Sequence, residues 1–516
     1  MECQSVARAF RTSKLKSSFL LEKSSLVALS LGVLGTVLRL PNLGESFWLD
    51  EVLYSTSYWV SSLYNLWHLF LNDTSAPLYR VLLFFWIKIF GENELSVRIP
   101  SLLFGISSIV LTYWIARAYC SPSVAFLAAL LLCFSPAHVW YSQEAAPYAM
   151  TLFFCLATVL AWLRLREMPS HRAWYAVYLS MFLAAVFTHY YAAVFLLPLT
   201  LLSVAVERPL RRRIMVAQAV VVSSLALALG IKYLAGHVKT GQEFLRPFTL
   251  FEWWMLFFNW FLQGNSLWTV SPYRANMEYL MSEPLLLVCQ VFFLVIFLRG
   301  LLPHREQKNW TQTWELCLFI SSLPLVMLLL TQAGYRHLYV ERYLLLVLPF
   351  FLILLARGAA SFSNARAVIV CSLAAGVIGA ASYGAFLYKS DRWTVYKQNP
   401  DWRSFSHYLS AQSLPPRRLR RAVILAVTPA NELMYYLRRE AQAPYPVVRY
   451  DTKAFERMLS VNRVEVFYLV KNRYWAGGFD KVFQRLEHDE RLTLVNSRSF
   501  KGLEVYTFIR QGTAVG

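Results

Sequence analysis

The chain has 516 residues, of which 57% are hydrophobic and only 16% are charged. Soluble domains carry about 25% charged residues, so this composition excludes an ordinary soluble enzyme. Apolar runs recur from Leu26 to Leu387 and predict an α-helical polytopic membrane protein. The formal net charge is +20, but the basic residues lie mostly between apolar runs. There they determine membrane orientation, and no nucleic-acid partner is expected.

The apolar runs come close to the roughly 20 residues that a membrane-spanning helix needs. They lie at 24–41, 97–117, 123–141, 148–164, 173–190, 191–206, 214–235, 282–299, 312–331, 341–357 and 364–387. The basic segment 1–23 is expected in the cytoplasm. The first run lacks a signal-peptide cleavage site, so we predict that it is a retained helix and that the chain has about eleven spans.

One further run, 77–91, decides the orientation of the rest. It is short for a span, begins with proline and contains Arg80 and Lys88, a pattern typical of a helix that lies at the membrane interface. If it does not cross, the basic loops at 164–172, 207–213, 299–308 and 357–366 all face the cytoplasm, as the positive-inside rule requires. We therefore predict that 42–96 is one long loop on the extracytoplasmic side of the cell (inner) membrane.

The same parity places the C-terminal segment outside. Its pattern predicts strands at 421–427 and 464–470, helices at 431–440 and 479–488, and a terminal hairpin. The predicted organisation is thus a cytoplasmic N-terminus at 1–23, a membrane domain at 24–390 and a small extracytoplasmic α/β domain at 391–516.

Two adjacent carboxylates, Asp50 and Glu51, follow the first span in the stretch FWLDEVLYS (47–55). The simplest interpretation is that these are hydrated loop carboxylates without a function. Their apolar and aromatic neighbours instead favour a general base that deprotonates an alcohol, because a carboxylate that loses water becomes more basic.

Further polar residues lie at predicted outer helix ends. Glu144 stands beside Tyr141 and Gln143 and could bind sugar or acceptor hydroxyls, or merely end a helix. His189 and Tyr190 follow another span, where a histidine is more often an interface residue than a catalyst.

The stretch YRHLYVERY (335–343) concentrates positive charge on the predicted outer side, against the general bias. It contains Arg336, His337, Arg342 and Tyr343. A guanidinium binds phosphate oxygens in a two-point fork, although an arginine here could also be a membrane anchor. Nucleotide-binding glycine motifs, an HExxH zinc motif and CxxC pairs are missing from the sequence, so it predicts no metal site.

These stretches together resemble the integral-membrane glycosyltransferases of the GT-C superfamily, in particular the protein O-mannosyltransferase and lipid A aminoarabinose transferase group. WLDEVLYS is similar to the acidic first-loop motif, and 72–105 to the segment after it. YSQEAAPYAM resembles a YSQEARPY-type stretch of the bacterial members, and ERYLLLVLP (341–349) a late RY-x-P stretch. The resemblance covers about residues 24–390.

The resemblance implies transfer of a sugar from a polyprenyl-phosphate donor to a glycan, lipid or protein hydroxyl outside the membrane, with inversion. Asp50 would be the base, Glu51 its support and Arg342 the phosphate ligand, aided by Arg336 or Arg80. Ala146 stands where the bacterial pattern has arginine, which removes one candidate phosphate contact. Whether the reaction needs a divalent metal stays open, since members of the group differ in their metal dependence.

Two alternatives belong to other classes of protein. A transporter or flippase of lipid-linked sugars would also need arginine and aromatic residues, but here the acids lie in predicted outer loops and inverted repeats are not apparent. A membrane-anchored binding module is disfavoured because the C-terminal segment has no recognisable site motif.

The orientation can be tested with tags inserted near Asn72 and near Glu94. We expect both tags to report the extracytoplasmic side, because the basic loops alternate correctly only if 77–91 does not cross. Tags found on opposite faces would refute this topology, and with it the outer location of Glu144.

Overall fold

A computed structural model shows how these segments fold. It describes residues 24–55, 61–73, 75–235, 247–263, 284–302, 310–336, 339–362, 364–388, 399–411, 421–427, 431–440, 445–449, 452–460, 464–472 and 478–511. The N-terminal segment 1–23, predicted to be cytoplasmic, lies outside the described residues, as does His337.

Helices dominate the described part of the chain up to residue 388. They are α1 (Ser24–Arg39), α2 (Leu49–Ser55), α3 (Leu63–Asn72), α4 (Leu78–Phe90), α5 (Glu94–Tyr119), α6 (Pro122–Phe134), α7 (Pro136–Gln143), α8 (Tyr148–Glu167), α9 (Arg172–Thr188), α10 (Tyr191–Phe195), α11 (Leu197–Ser203), α12 (Arg208–Leu234), α13 (Leu250–Met255), a π-helical stretch (Leu256–Trp260), α14 (Phe261–Gln263), α15 (Pro284–Leu301), α16 (Trp310–Gln332), a 3₁₀ stretch (Glu341–Val347), α17 (Leu348–Ala359) and α18 (Ala365–Tyr388). The predicted helical membrane protein is confirmed.

Among the described residues, six helices are long and apolar enough to cross a membrane, or seven if the bent pair α6 and α7 counts as one span. Four shorter apolar helices are Ser24–Arg39, Arg172–Thr188, Tyr191–Ser203 and Leu287–Leu301. Each predicted apolar run therefore coincides with a helix, while the total of eleven spans stays a prediction.

The bend between α6 and α7 has a local cause. Pro136 cannot donate a backbone hydrogen bond to the preceding turn, so the helix stops at Ser135 and restarts with a 59° change of direction. The hydroxyl of Ser135 accepts the backbone N–H of His138 at 3.4 Å and caps the new helix. This break directs the stretch that contains Tyr141 and Glu144.

Helix α4 coincides with the run predicted to lie at the interface. Its 13 residues give a length of about 20 Å at 1.5 Å per residue, short of the roughly 30 Å hydrocarbon layer. Arg80, on its first turn, forms an ion pair with Asp73 at 2.6 Å. These features agree with a helix that does not span the membrane, and its orientation stays a prediction.

The chain divides into two compact units. We call Gly44–Ser61, Glu92–Leu95 and Lys397–Gly516 the C-terminal unit, and the rest of the chain the membrane unit. The sequence predicts that the whole loop 42–96 belongs to the membrane domain, whereas in the structure residues 44–61 and 92–95 cluster with the C-terminal residues.

The C-terminal unit also contains a five-stranded sheet. After helix α19 (Trp402–Ala411) come β1 (Ala422–Ala426), α20 (Asn431–Glu440), β2 (Val447–Arg449), α21 (Thr452–Ser460), β3 (Val466–Asn472), α22 (Phe479–Glu487), β4 (Leu492–Phe500) and β5 (Leu503–Arg510). The strand order is β2-β1-β3-β5-β4, with β1 parallel to β2 and β3 and with an antiparallel terminal hairpin. The predicted α/β pattern is confirmed.

Two glycines allow a close helix crossing in the membrane unit. A Cβ atom on Gly358 of α17 would collide with the backbone carbonyl of Ile296, and one on Gly300 of α15 with that of Leu354. Small residues let helix backbones approach in this way inside membranes.

Gly358→Ala should therefore lower the thermal unfolding temperature of the purified protein, since overpacking costs about 1–3 kcal/mol. Gly376→Ala is the matched control, because a Cβ there meets nothing within 4 Å on helix α18. Equal unfolding temperatures for the two variants would contradict the close crossing.

Candidate functional site

Helix α2 carries the acid pair in the C-terminal unit. Glu51 is 1% exposed, and its Oε2 accepts the backbone N–H of Trp48 at 2.9 Å. Asp50 is only partly buried. Adjacent side chains on a helix diverge by about 100°, so one carboxylate helps to close the first turn while its neighbour points in a different direction.

The segment before α2 is held by a tyrosine of helix α20. The hydroxyl of Tyr436 accepts the backbone N–H of Phe47 and donates to Oε1 of Glu94, both at 2.8 Å. Burial and the Glu94 carboxylate raise the pKa of Tyr436 above its ordinary value. The hydroxyl therefore stays protonated and keeps both hydrogen bonds.

Packing and polar contacts surround this tyrosine. The Phe47 ring lies 5.4 Å from that of Tyr435 in an edge-to-face arrangement and 6.3 Å from that of Tyr436. Arg403 of α19 forms an ion pair with Glu94 at 3.3 Å. Asn399 donates to the backbone carbonyl of Ser46 at 2.9 Å. The acid-bearing segment is thus built into the C-terminal unit by both its main chain and its side chains.

A third carboxyl group lies close to the acid pair. Glu432, at the start of α20, is 3% exposed, and within the described residues its Oε2 is buried without a hydrogen-bond partner. Burial, together with the negative charge of Asp50, raises the pKa of Glu432 to about 8. Helix α20 packs against α2, so this group is an uncharged acid beside Asp50 at neutral pH.

An aromatic cluster surrounds Arg342 in the membrane unit. The Arg342 guanidinium carbon lies 5.4 Å from the centre of the Tyr148 ring, within the range of a cation–π contact. The next residue, Tyr343, stacks on Tyr191 at 4.8 Å and lies 4.8 Å from the His189 ring. The structure therefore brings together the predicted residues Arg342, Tyr343 and His189.

The stretch after the helix break lies beside this cluster. The Tyr141 ring packs edge-to-face on Tyr148 at 5.1 Å. Glu144 is 6% exposed, and its Oε2 accepts the indole N–H of Trp140 at 2.8 Å. Gln143 instead donates its amide to the backbone carbonyl of Arg39 at 2.9 Å. Gln143 therefore connects the end of α7 to the end of α1. Its role in substrate binding stays a prediction.

Arg80 and Tyr190 belong to a different group of side chains. Arg80 pairs with Asp73, and the ammonium of Lys232 donates to the backbone carbonyls of Asp73 and Ser75, each at 2.9 Å. The same ammonium lies 5.3 Å from the centre of the Tyr190 ring. Although burial favours its neutral form, Arg80 and Ser75 hold the pKa of Asp73 below its ordinary value. Because Arg80 is already paired with Asp73, less of its positive charge is available to a substrate phosphate.

The remaining predicted residues make few contacts that bear on a site. Arg336 is exposed. Ala146 is fully buried, and its carbonyl accepts the Ser101 hydroxyl at 3.3 Å, so a longer side chain would require rearrangement there. In the part of the chain that the structure describes, no three His, Cys, Asp or Glu side chains come together as a metal site. No step below is assigned to a metal.

A narrow crevice, with room for about one water molecule, opens near the Tyr141 ring. Its lining residues are Phe251, Glu252, Met255, Leu256, Trp260, Tyr339 and Glu341. Trp260 belongs to both the crevice and the cluster, since its ring lies 6.1 Å from that of Tyr141. The crevice is too small to hold a sugar.

Sequence reasoning missed several of these residues. Glu432 and Tyr436 lie in a stretch that reads as an ordinary amphipathic helix of a soluble domain. The spacing of four residues that puts both on one helical face was visible, but nothing in the sequence indicated what that face covers. Lys232 offered a signal, because it is a lone basic residue at a predicted outer helix end.

With this geometry in view, known proteins can be compared. A sequence profile of the dolichyl-phosphate-mannose-protein mannosyltransferase family matches residues 74–235. No curated protein sequence matches the chain.

Several solved structures match almost the whole chain. ArnT from Cupriavidus metallidurans in the apo state is 14% identical over 95% of this chain and 98% of its own, with a TM-score of 0.51. The same protein bound to undecaprenyl phosphate is 13% identical over the same shares, with a TM-score of 0.52.

The arabinofuranosyltransferase AftD from Mycobacteria is also similar to this chain. It is 13% identical over 95% of this chain and 40% of its own length, with a TM-score of 0.52. The fold of the chain is thus similar to the folds of ArnT and AftD. The chain has the fold of the GT-C integral-membrane glycosyltransferases.

Proposed function

We propose that this protein is a glycosyltransferase that moves a sugar from a polyprenyl-phosphate donor to a hydroxyl group of a glycan, lipid or protein. The reaction takes place on the outer face of the cytoplasmic membrane and inverts the anomeric carbon. One observation carries the proposal: the fold agrees over 95% of the chain with ArnT bound to undecaprenyl phosphate. The side chains described above supply the chemistry.

Asp50 is the proposed general base. Its carboxylate accepts the proton of the acceptor hydroxyl as the acceptor oxygen forms a bond to the anomeric carbon. The bond from that carbon to the phosphate oxygen breaks on the opposite face, and polyprenyl phosphate leaves with the electron pair. The hydrogen bond from Glu51 to the Trp48 backbone supports the turn that directs Asp50, as a base must be aligned with its proton.

Arg342 is the proposed ligand of the donor phosphate. A guanidinium presents paired N–H donors that match two phosphate oxygens, and its permanent charge stabilises the phosphate as it departs. Tyr148 supports the guanidinium from one side. Tyr343 is held between Tyr191 and His189, so the backbone on which Arg342 stands is fixed by packing.

Glu144 and Tyr141 are the proposed contacts for hydroxyl groups of the sugar or the acceptor. Glu144 can accept hydrogen bonds from hydroxyls, and the Trp140 indole N–H, which its Oε2 accepts at 2.8 Å, fixes the direction of the carboxylate. The Tyr141 ring, packed on Tyr148, offers an apolar face. The identity of the sugar depends on these contacts.

Asp50→Asn keeps the shape of the side chain and removes the base. Turnover of undecaprenyl-phosphate mannose or arabinofuranose, with cell-envelope extract as acceptor, should fall by about 10²- to 10⁴-fold. Glu51→Gln is the matched control and should cost less, because an amide oxygen can still accept the Trp48 N–H. Wild-type turnover by a folded Asp50→Asn variant would exclude the mechanism.

Donor binding tests Arg342 separately from catalysis. Arg342→Ala should weaken binding of undecaprenyl phosphate to the detergent-purified protein more than Arg342→Lys, which keeps the charge but loses the fork. Arg299→Ala is the control, since Arg299 also lies over an aromatic ring, 4.1 Å from the centre of Phe362, but stands in the last turn of α15, at a helix end predicted to face the cytoplasm. Unchanged binding in both Arg342 variants would reduce this residue to a membrane anchor.

A further inference from the structure

Glu432 is a buried carboxyl group for which the reaction outlined above has no use. It begins helix α20, the same helix whose Tyr436 holds the segment before α2. Its Oε2 is inaccessible and has no hydrogen-bond partner among the described residues. The carboxyl group accepts the backbone N–H of its own residue, which favours the charged form, but burying Oε2 without a partner costs stability, so its presence on a helix that packs against α2 calls for a reason.

We propose that Glu432 is a positioning residue for Asp50: the two carboxyl groups share one negative charge, which the deeper burial of Glu432 confines to Asp50. This proposal rests on the proposed function of Asp50 and deepens it. Two neighbouring carboxyl groups resist double ionisation, and the less hydrated member keeps the proton. Asp50 is only partly buried, while Glu432 is 3% exposed.

Within the described residues, no cation forms an ion pair with Glu432. Acidic, basic and histidine side chains on the described elements around helix α20 are Asp50, Glu51, Glu92, Glu94, Arg403 and His407, and Arg438 and Arg439 belong to the helix itself. Arg403 pairs with Glu94, and Arg439 donates to the Tyr435 hydroxyl at 2.8 Å. The charge that acts on Glu432 most directly is that of Asp50, and burial and this charge raise the pKa of Glu432 to about 8.

The arrangement assigns separate roles to the two acids. The shared negative charge lies on Asp50, which can therefore accept the proton of the acceptor hydroxyl. Glu432 already holds a proton and cannot take another, so the proton gained by Asp50 must return to water before the next cycle.

The pH dependence of stability gives a test that needs no substrate. The folded-state pKa of about 8 lies above the ordinary value of 4.5, so the unfolded chain loses this proton first as the pH rises. The contribution of Glu432 to stability must therefore fall between about pH 4.5 and about pH 8 and stay constant above.

Thermal unfolding of the full-length, detergent-purified protein between pH 4.5 and pH 9 measures this contribution. Glu432→Gln, which is always uncharged, should match the wild type at the acidic end and unfold about 3 °C or more higher at the alkaline end. Glu432→Met, also uncharged and of similar length, should give the same divergence if the glutamine variant fails to fold. Glu456→Gln is the control, because Glu456 of α21 is ion-paired with Arg485 and Arg491 at the surface.

Coupling to Asp50 is tested in the same assay. Asp50→Asn removes the neighbouring charge, so the upper limit of the pH window should move below about 8. Parallel curves for the wild type and Glu432→Gln at every pH, or a window that Asp50→Asn leaves in place, would overturn the proposal.

Transfer measurements separate this inference from the proposed function. With undecaprenyl-phosphate mannose or arabinofuranose as the probe, turnover by the wild type should change near pH 8, where Glu432 ionises, and Glu432→Gln should lack that change because an amide does not ionise. Loss of turnover in a folded Glu432→Gln variant would make Glu432 a reacting group and overturn the positioning role. Full turnover in Asp50→Asn would overturn the proposed base, whatever the unfolding curves show.

Discussion

The hydrogen bonds of one hydroxyl group, that of Tyr436, determine where the acid-bearing segment folds. This hydroxyl joins the backbone of Phe47 to the carboxylate of Glu94, and so connects two pieces of the predicted outer loop to a helix that follows them by more than three hundred residues. Without such a connection, a loop of this length would sample many conformations, at a large entropic cost. Placement of Asp50 therefore depends on residues of the C-terminal unit.

Each proposed group is positioned within its own unit. Arg342, the proposed phosphate ligand, lies over the Tyr148 ring of the membrane unit, while Asp50, the proposed base, belongs to the C-terminal unit. The proposed role of Glu432, buried on a helix that packs against α2, is to keep the negative charge on Asp50. On this proposal the C-terminal unit supplies both the base and the group that controls its charge.

The sequence predicted the parts of the fold that depend on local pattern. Runs of apolar residues located the long helices of the membrane unit but not α3 or α13, and alternation with turn residues located the strands Ala422–Ala426 and Val466–Asn472. Arg342, Tyr343 and His189 could be proposed because each stands at a helix end. Glu432 and Tyr436 could not, because their role comes from tertiary contacts with residues 47–94, and a single sequence carries no sign of which helix face such a segment covers.

The central claim is that this protein breaks the bond between a sugar and its lipid carrier. The most direct measurement uses purified protein in vesicles that contain undecaprenyl phosphate linked to radiolabelled mannose or arabinofuranose, with envelope extract as acceptor. We predict that label leaves the lipid fraction in a protein-dependent manner and that free undecaprenyl phosphate appears in equal amount. Label that stays attached to undecaprenyl phosphate and only moves to the opposite leaflet would contradict the account and indicate a flippase.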